Sequence, residues 1–170
     1  MENRVKAARC FDTHSADLTI DSWISFIECD RLNLDAAYQR DYVWGYTEQN
    51  MFLLSVVRGA PLSAISVVKT HNERGNFILE IVDGKQRLTT LKKFLNNEIA
   101  VRLNQQDVYY KDFNSAEQNS FSSVALPKIE LRNATTADKL KFFLSINFTG
   151  VPQSEEHHKK VLTMLGETAC

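Results

Sequence analysis

The segment 81–91 constrains the fold of this chain most, because it changes from a strand pattern to a helix pattern at one glycine. It reads Ile-Val-Asp-Gly-Lys-Gln-Arg-Leu-Thr-Thr-Leu. The β-branched residues before Asp83 are typical of a buried strand, and the apolar residues after Gly84 recur at helical spacing. Glycine permits a tight turn between two such elements. The sequence therefore predicts a strand, a turn and a helix in direct succession.

The predicted turn carries residue types that suit an anion. An acid, a glycine, a lysine, an amide and an arginine occupy positions 83–87. At such a turn, backbone N–H groups and the positive end of the helix dipole converge, and Lys85 and Arg87 add positive charge. Basic residues in a first helical turn oppose the dipole, which disfavours a purely capping role. We expect a phosphate site in which Asp83 can hold a metal ion, bind a ribose hydroxyl or orient a water.

Periodic patterns elsewhere predict an α+β fold. We expect helices that begin at an Asp21 N-cap, at a Thr47 cap, after the Asp-Gly turn, at Ser115, at a Thr135–Asp138 capping box and at a Ser154 cap. The last of these would bury Val161, Leu162 and Leu165. Strands are expected over 32–34, 63–69, 77–82, 99–103, 108–113 and 128–131. Residues 72–75 resemble a hairpin connection, whereas about the first fifteen residues show no period, so we expect them to be loosely ordered.

Length and composition indicate one ordinary globular domain over residues 1–170. A net charge of −1 gives no overall electrostatic case for binding nucleic acid. No apolar run is long enough to cross a membrane, so no membrane partner is expected. Cys10, Cys29 and Cys170 follow no metal-ligand spacing and are interpreted as free thiols of a cytoplasmic protein.

A second polar segment, 38–44, reads Tyr-Gln-Arg-Asp-Tyr-Val-Trp and is too mixed to be simple core. Two interpretations stay open. The segment can be an aromatic staple that happens to carry a surface arginine. Alternatively, the rings can hold Arg40 rigidly and direct it at an anion.

Together these segments resemble the N-terminal domain of GmrSD-type restriction enzymes. The resemblance rests on Tyr-Gln-Arg-x-Tyr-x-Trp at 38–44, on Arg-Gly-x-Pro-Leu at 58–62 and on the segment 81–91. A later landmark at 143–152 ends a helix with an asparagine and a glycine, and an acidic helix follows. The resemblance covers roughly residues 32–165. That domain is a branch of the ParB/sulfiredoxin-like superfamily, often named for an Asp-Gly-Gln-Gln-Arg motif, and it implies a small mixed sheet with packed helices.

The resemblance also implies a function, because family members bind nucleoside triphosphates at this motif and several hydrolyse them in restriction and phage defence. Nucleoside triphosphate and Mg²⁺ are therefore the expected ligands. The implied catalytic residues are Asp83, which would also be the metal ligand, and Arg87. The implied nucleotide-binding residues are Gln39, Arg40, Gly84, Lys85, Gln86, Arg87 and Asn147, with Gly150 beside the last of them.

The chain departs from the family pattern in two ways. Lys85 replaces the first glutamine of the motif, which keeps the turn and adds a cation. In addition, members that cut DNA usually carry a C-terminal HNH-type nuclease domain, and this sequence ends at Cys170. We therefore expect no DNA cleavage by that route unless a partner supplies it. A standalone nucleotide module, one subunit of a split system and an excised domain are all consistent with the sequence.

Other function classes remain open from the sequence. Nucleotide can act on a non-catalytic switch that selects a conformation or a homodimer. The chain can also be a DNA- or protein-interaction module, either a regulator or a phage-encoded inhibitor of such a system. Its partners would then be DNA or a nuclease of the defence system. A local basic patch for DNA would draw on Lys92, Lys93, Lys139 and Lys141, each of which is equally typical of a solvated helix face.

Overall fold

The structure is a computed structural model that describes residues 10–71, 75–147 and 155–168. Its helices are α1 Ile20–Glu28, α2 Tyr46–Val57, α3 Lys85–Leu95, α4 Ser115–Ser122, α5 Thr136–Asn147 and α6 Glu155–Thr168. Its strands are β1 Thr13–Ala16, β2 Leu32–Asn33, β3 Ile65–His71, β4 Phe77–Asp83, β5 Val101–Leu103, β6 Gln106–Val108 and β7 Lys128–Leu131. The predicted α+β class is confirmed.

Five of the strands form one mixed sheet in the order β1-β7-β3-β4-β2. β3 and β4 pair antiparallel, as the predicted hairpin requires, although most of the connection at 72–75 lies outside the described residues. β2 runs parallel to β4, β7 runs parallel to β3, and β1 pairs antiparallel with β7. β5 and β6 form a separate two-stranded sheet. The segment that carries the turn therefore leaves from a strand near the centre of the main sheet.

Helices cover both faces of the central strands. Ile65, Val67 and Ile81 face a core that includes Trp23, Leu88, Leu91 and Phe94 from α1 and α3. Val68, Val82 and Leu131 face a second core with Leu140, Phe143 and Val161 from α5 and α6. This division follows from the two-residue period of a strand, which turns neighbouring side chains to opposite faces. Burial on both faces fixes β4 and hence the starting point of the turn.

Several predicted elements are confirmed closely. β7 occupies the expected residues 128–131, and α4 begins at Ser115. The capping box before α5 is present, because the Thr135 N–H donates to Asp138 Oδ2 at 3.0 Å and the Asp138 N–H donates to Thr135 Oγ1 at 3.2 Å. The predicted Ser154 cap lies outside the described residues.

Two predicted helix caps are each wrong by two residues. Thr19 rather than Asp21 is the N-cap of α1, since Thr19 Oγ1 accepts from the Ser22 N–H at 3.3 Å. Gly45 rather than Thr47 precedes α2, and its N–H donates to Glu48 Oε2 at 3.0 Å. In both cases the observed N-cap lies two residues upstream of the predicted one and has the extended backbone that a cap position requires.

The strand predicted over 108–113 is wrong. The chain instead turns at Asn104 and Gln105, which have φ values of 48° and 68°, and β6 ends at Val108. A short 3₁₀ helix follows at Tyr110–Asp112. Tyr110 and Phe113 pack their rings on Phe94 at centroid distances of 5.8 Å, so the aromatic residues that suggested a strand serve the core.

Two further differences concern the ends of the chain. β1 begins within the first fifteen residues, which were expected to be loosely ordered, and it was not predicted because Thr-His-Ser-Ala has no apolar alternation. The antiparallel pairing with β7 stabilises this strand, although its own sequence does not favour one. On α6, Val161 is buried as expected, but Leu162 is 46% exposed, so the prediction that it points inward is wrong.

Candidate functional site

The segment 83–87 forms the predicted strand–turn–helix. β4 ends at Asp83, Gly84 takes φ 109° and ψ 5°, and α3 begins at Lys85. No side chain caps the N-terminus of α3. The first N–H groups of an α-helix have no partner within the helix, so an uncapped end leaves donors that can meet an anion.

Gly84 cannot be replaced without a clash. A Cβ atom at this position would meet Ile65 Cδ1 of β3 well inside van der Waals contact and would lie 3.3 Å from Arg87 Nη2. Its φ also lies in the left-handed region that side chains rarely adopt. The turn therefore depends on glycine for both its conformation and its packing.

Arg87 points back at the strand rather than out to solvent. Its Nη2 donates to Asp83 Oδ2 at 2.7 Å and to the Ala64 carbonyl at 3.1 Å, while its Nη1 donates to Ser63 Oγ at 2.8 Å and to the Ser63 carbonyl. Its side chain is 12% exposed. Burial lowers the pKa of Arg87, and the carboxylate of Asp83 opposes that shift. Arg87 therefore ties the turn to the chain that enters β3.

The second cation of the turn is also paired. Lys85 Nζ lies 2.9 Å from Oδ1 of Asp35, and the Lys85 side chain is mostly buried whereas Asp35 is exposed. No sequence signal identified Asp35, because the two residues are 50 positions apart and meet only through the pairing of β2 with β4. The positive charges that suggested an anion site are thus partly neutralised by carboxylates of this chain.

Gln86 is buried and bonds to the segment 41–44. Its Oε1 accepts from the Val43 N–H at 2.9 Å and the Trp44 N–H at 3.3 Å, and its Nε2 donates to the Asp41 carbonyl at 2.9 Å. Tyr42 adds a further tie, since its hydroxyl lies 2.9 Å from Thr90 Oγ1 on α3. The two polar segments found in the sequence are therefore in direct contact.

Gln39 bonds to the other end of the turn. The pairing of β3 with β4 steps from Ser66–Asp83 to Val67–Ile81, so Val82 is the extra residue of a β-bulge. Gln39 Nε2 donates to the Val82 carbonyl at 2.7 Å. An amide side chain thus satisfies a carbonyl that the bulge leaves without a ladder partner.

Tyr38 continues this contact one residue earlier. Its hydroxyl lies 2.9 Å from Glu80 Oε1 and 3.0 Å from the Ile81 carbonyl. Burial, followed by the nearby negative charge of Glu80, raises the pKa of Tyr38 well above its usual range. The hydroxyl therefore stays protonated, and the Tyr38 side chain is an anchor rather than an acid or base.

The remaining predicted residues are placed differently. Arg40 is exposed and makes no hydrogen bond or ion pair within the part of the chain that the structure describes. Asn147 is the last residue of α5, and Gly150 lies outside the described residues. The structure therefore joins Gln39, Asp83, Gly84, Lys85, Gln86 and Arg87 in one region, with Arg40 between two anchored neighbours.

One carboxylate oxygen of the turn is open to a cation. Asp83 is about one-third exposed, and Arg87 bonds to its Oδ2. Its Oδ1 has no hydrogen bond among the described residues. No group of three or more His, Cys, Asp or Glu that could hold a metal occurs in 10–71, 75–147 and 155–168. Since Mg²⁺ is often held by one or two carboxylates together with phosphates, Asp83 fits a shared ligand set rather than an all-protein site.

The four lysines considered as a DNA patch do not act as free cations together. Lys93 pairs with Glu98 at 3.1 Å, and Lys139 pairs with Glu80 at 3.3 Å. Lys92 lies on α3 and Lys141 on α5, so the four are divided between two helices. No described helix is long and apolar enough to span a membrane.

Comparison with known proteins matches the chain to a described family. Residues 25–163 match the family described as GmrSD restriction endonuclease, N-terminal domain. Neither the curated proteins nor the solved structures gave a match. The chain belongs to this family, since most of its length is matched, and the match indicates a component of a restriction system. The finer ParB/sulfiredoxin-like description stays a prediction.

Proposed function

We propose that this member of the GmrSD N-terminal-domain family binds a nucleoside triphosphate, with Mg²⁺, at the turn 83–87. The observation that carries the proposal is the N-terminus of α3, which no side chain caps and which begins directly after the left-handed turn at Gly84. Phosphate groups bind favourably at such helix ends. The family membership adds a restriction-system context for a regulatory nucleotide.

Each residue of the turn has a distinct proposed role. The first N–H groups of α3 and the ammonium of Lys85 bind phosphate oxygens. Asp83 would hold a Mg²⁺ ion together with the phosphates, and that ion would supply positive charge to offset theirs. Arg87 holds the Asp83 carboxylate in place through its 2.7 Å contact. Hydrolysis, where it occurs, requires a water oriented for attack on the terminal phosphate.

A non-catalytic switch is the second candidate, and one observation favours it. Arg87 Nη2 occupies Oδ2 of Asp83, so only one oxygen of this carboxylate stays open to hold a metal ion or to orient an attacking water. Binding would then select a conformation without rapid turnover. Phosphate release separates the two functions: steady release at saturating nucleotide supports an enzyme, and stoichiometric binding without release supports the switch.

Calorimetric titration of the four ribonucleoside triphosphates with Mg²⁺ tests binding at the turn. We expect saturable binding by the wild type and at least about tenfold weaker binding by Arg87→Ala. The variant loses the hydrogen bonds that hold the Asp83 carboxylate and residues 63 and 64 before β3 in place. Arg102→Ala is the matched control, since it removes an Arg–Asp pair of 2.9 Å in the separate β5–β6 sheet. Thermal unfolding of both variants monitors the fold. Equal affinity in the wild type and Arg87→Ala contradicts the proposal.

A further inference from the structure

The segment Tyr38–Trp44, called the strap below, is tied to the protein on both sides of the turn. On one side, Gln39 Nε2 donates to the carbonyl of Val82, the residue before Asp83. On the other side, Gln86 Nε2 donates to the Asp41 carbonyl, and Gln86 follows Lys85 directly. Arg40 is the single strap residue between these two ties. Its backbone is therefore held beside the turn residues 83–85.

The two glutamines use their amides on backbone groups. Gln86 is 9% exposed and has both its oxygen and its nitrogen bonded to the strap. The Gln39 amide nitrogen lies 2.7 Å from the Val82 carbonyl and 3.4 Å from the Ile81 carbonyl. If either amide rotated toward a ligand, it would leave the backbone groups that it now bonds unpaired, which is costly where those groups are buried.

The charges near the turn distinguish Arg40 from its neighbours. Lys85 pairs with Asp35 and Arg87 pairs with Asp83, both within 2.9 Å. Arg40 is exposed and has no ion pair in the described part of the chain. Arg40 is therefore an arginine of this region whose charge no carboxylate of the described residues neutralises.

We propose that Gln39 and Gln86 are positioning residues, which clamp the strap so that Arg40 binds the phosphate chain. This inference rests on the proposed function and assigns roles within the same site. It departs from a direct reading of the two motifs, in which both glutamines would contact the nucleotide. Arg40 is then the strap residue that touches the ligand, and the glutamines act through it.

Amide hydrogen exchange and nucleotide titration on the same variants test these roles. Gln86→Met keeps a long side chain but removes the three hydrogen bonds from Gln86 to the strap. We therefore expect faster exchange at the Val43 and Trp44 amides and a nucleotide affinity weaker by about tenfold. Arg40→Ala should weaken binding by a similar factor and leave exchange at those two amides unchanged. The double variant Gln86→Met/Arg40→Ala should bind nucleotide no more weakly than Arg40→Ala alone, because both substitutions abolish the same contact between Arg40 and phosphate.

Tyr42→Phe is a milder second variant in case Gln86→Met does not fold. It removes only the tie to Thr90, so we expect a smaller loss of affinity that also vanishes in the Arg40→Ala background. Losses that add in the double variants, or faster exchange with unchanged affinity, would overturn the positioning roles while the proposed function stands. If the wild type binds none of the four triphosphates, the proposed function fails and this inference fails with it.

Discussion

Gly84 joins β4 to α3 with a left-handed backbone that residues with a side chain rarely adopt, so it gives the sharpest prediction at the scale of single residues. Gly84→Ala should lower the free energy of unfolding by about 2–5 kcal/mol, because a left-handed residue costs about 1–2 and an overpacked site about 1–3. The overpacking arises at the Ile65 side chain. Urea unfolding measures the loss.

Gly59 supplies the matched control for this substitution. It has φ 69° and no atom within 4 Å of a built Cβ, so Gly59→Ala should cost only about 1–2 kcal/mol. A loss in Gly84→Ala no larger than that in Gly59→Ala would show that the contact with Ile65 does not matter.

The residue types of the site were predictable, but their pairing was not. A glycine between a strand pattern and a helix pattern locates the turn from the sequence alone. In contrast, Arg87 meets Ser63 and Ala64 across more than 20 positions, and Gln86 meets Val43 across 43. Such contacts depend on how β3, β4 and the strap are aligned. Local patterns do not contain that alignment, so the neutralisation of both cations came only from the structure.

At the scale of elements, β7 carries Lys128 and Glu130 on one face because its period is two, and Arg132 directly after the strand continues that period. Glu130 lies 2.6 Å from Lys128 Nζ and 3.1 Å from Arg132 Nε. Burial alone would raise the pKa of Glu130, but hydrogen bonds from these two cations outweigh it and the pKa is lowered. The strand thus presents a buried carboxylate that favours its charged form.

This lowered pKa predicts how stability depends on pH. The carboxylate stabilises the fold fully above its ordinary pKa of 4.5, and that contribution is lost as the pH falls through the lower folded value. The difference in melting temperature between the wild type and Glu130→Gln should therefore be larger at pH 7 than at pH 3. Thermal unfolding at both values checks this. A difference that stays constant or grows in acid would contradict the lowered pKa.

Elements with a strong local period were predicted well, whereas those that depend on partners were not. α3, α4 and β7 have clear apolar patterns or caps and were found at or near their expected positions. β1 is polar and exists through its pairing with β7. The aromatic residues near Tyr110 resemble a strand in sequence, but they pack on Phe94 because this contact buries their apolar surface in the core.

At the scale of the whole molecule, a sheet covered on both faces holds the turn at one end of β3 and β4. Asp83 pairs with Ser66 at that end, and His71 pairs with Phe77 at the other. Lys69, His71 and Arg132 line a cleft of about 850 Å³ that includes the far end of the sheet. The molecule therefore offers two separate regions with positive charge, and the proposed function assigns the nucleotide to the turn.

Amide hydrogen exchange with and without saturating triphosphate and Mg²⁺ tests that assignment most directly, because it locates the ligand without any substitution. Binding at the turn predicts slower exchange in residues 82–88 and in the strap, with no change in the β5–β6 hairpin. Slower exchange confined to the cleft around Lys69 and His71, with the turn unchanged, would contradict it.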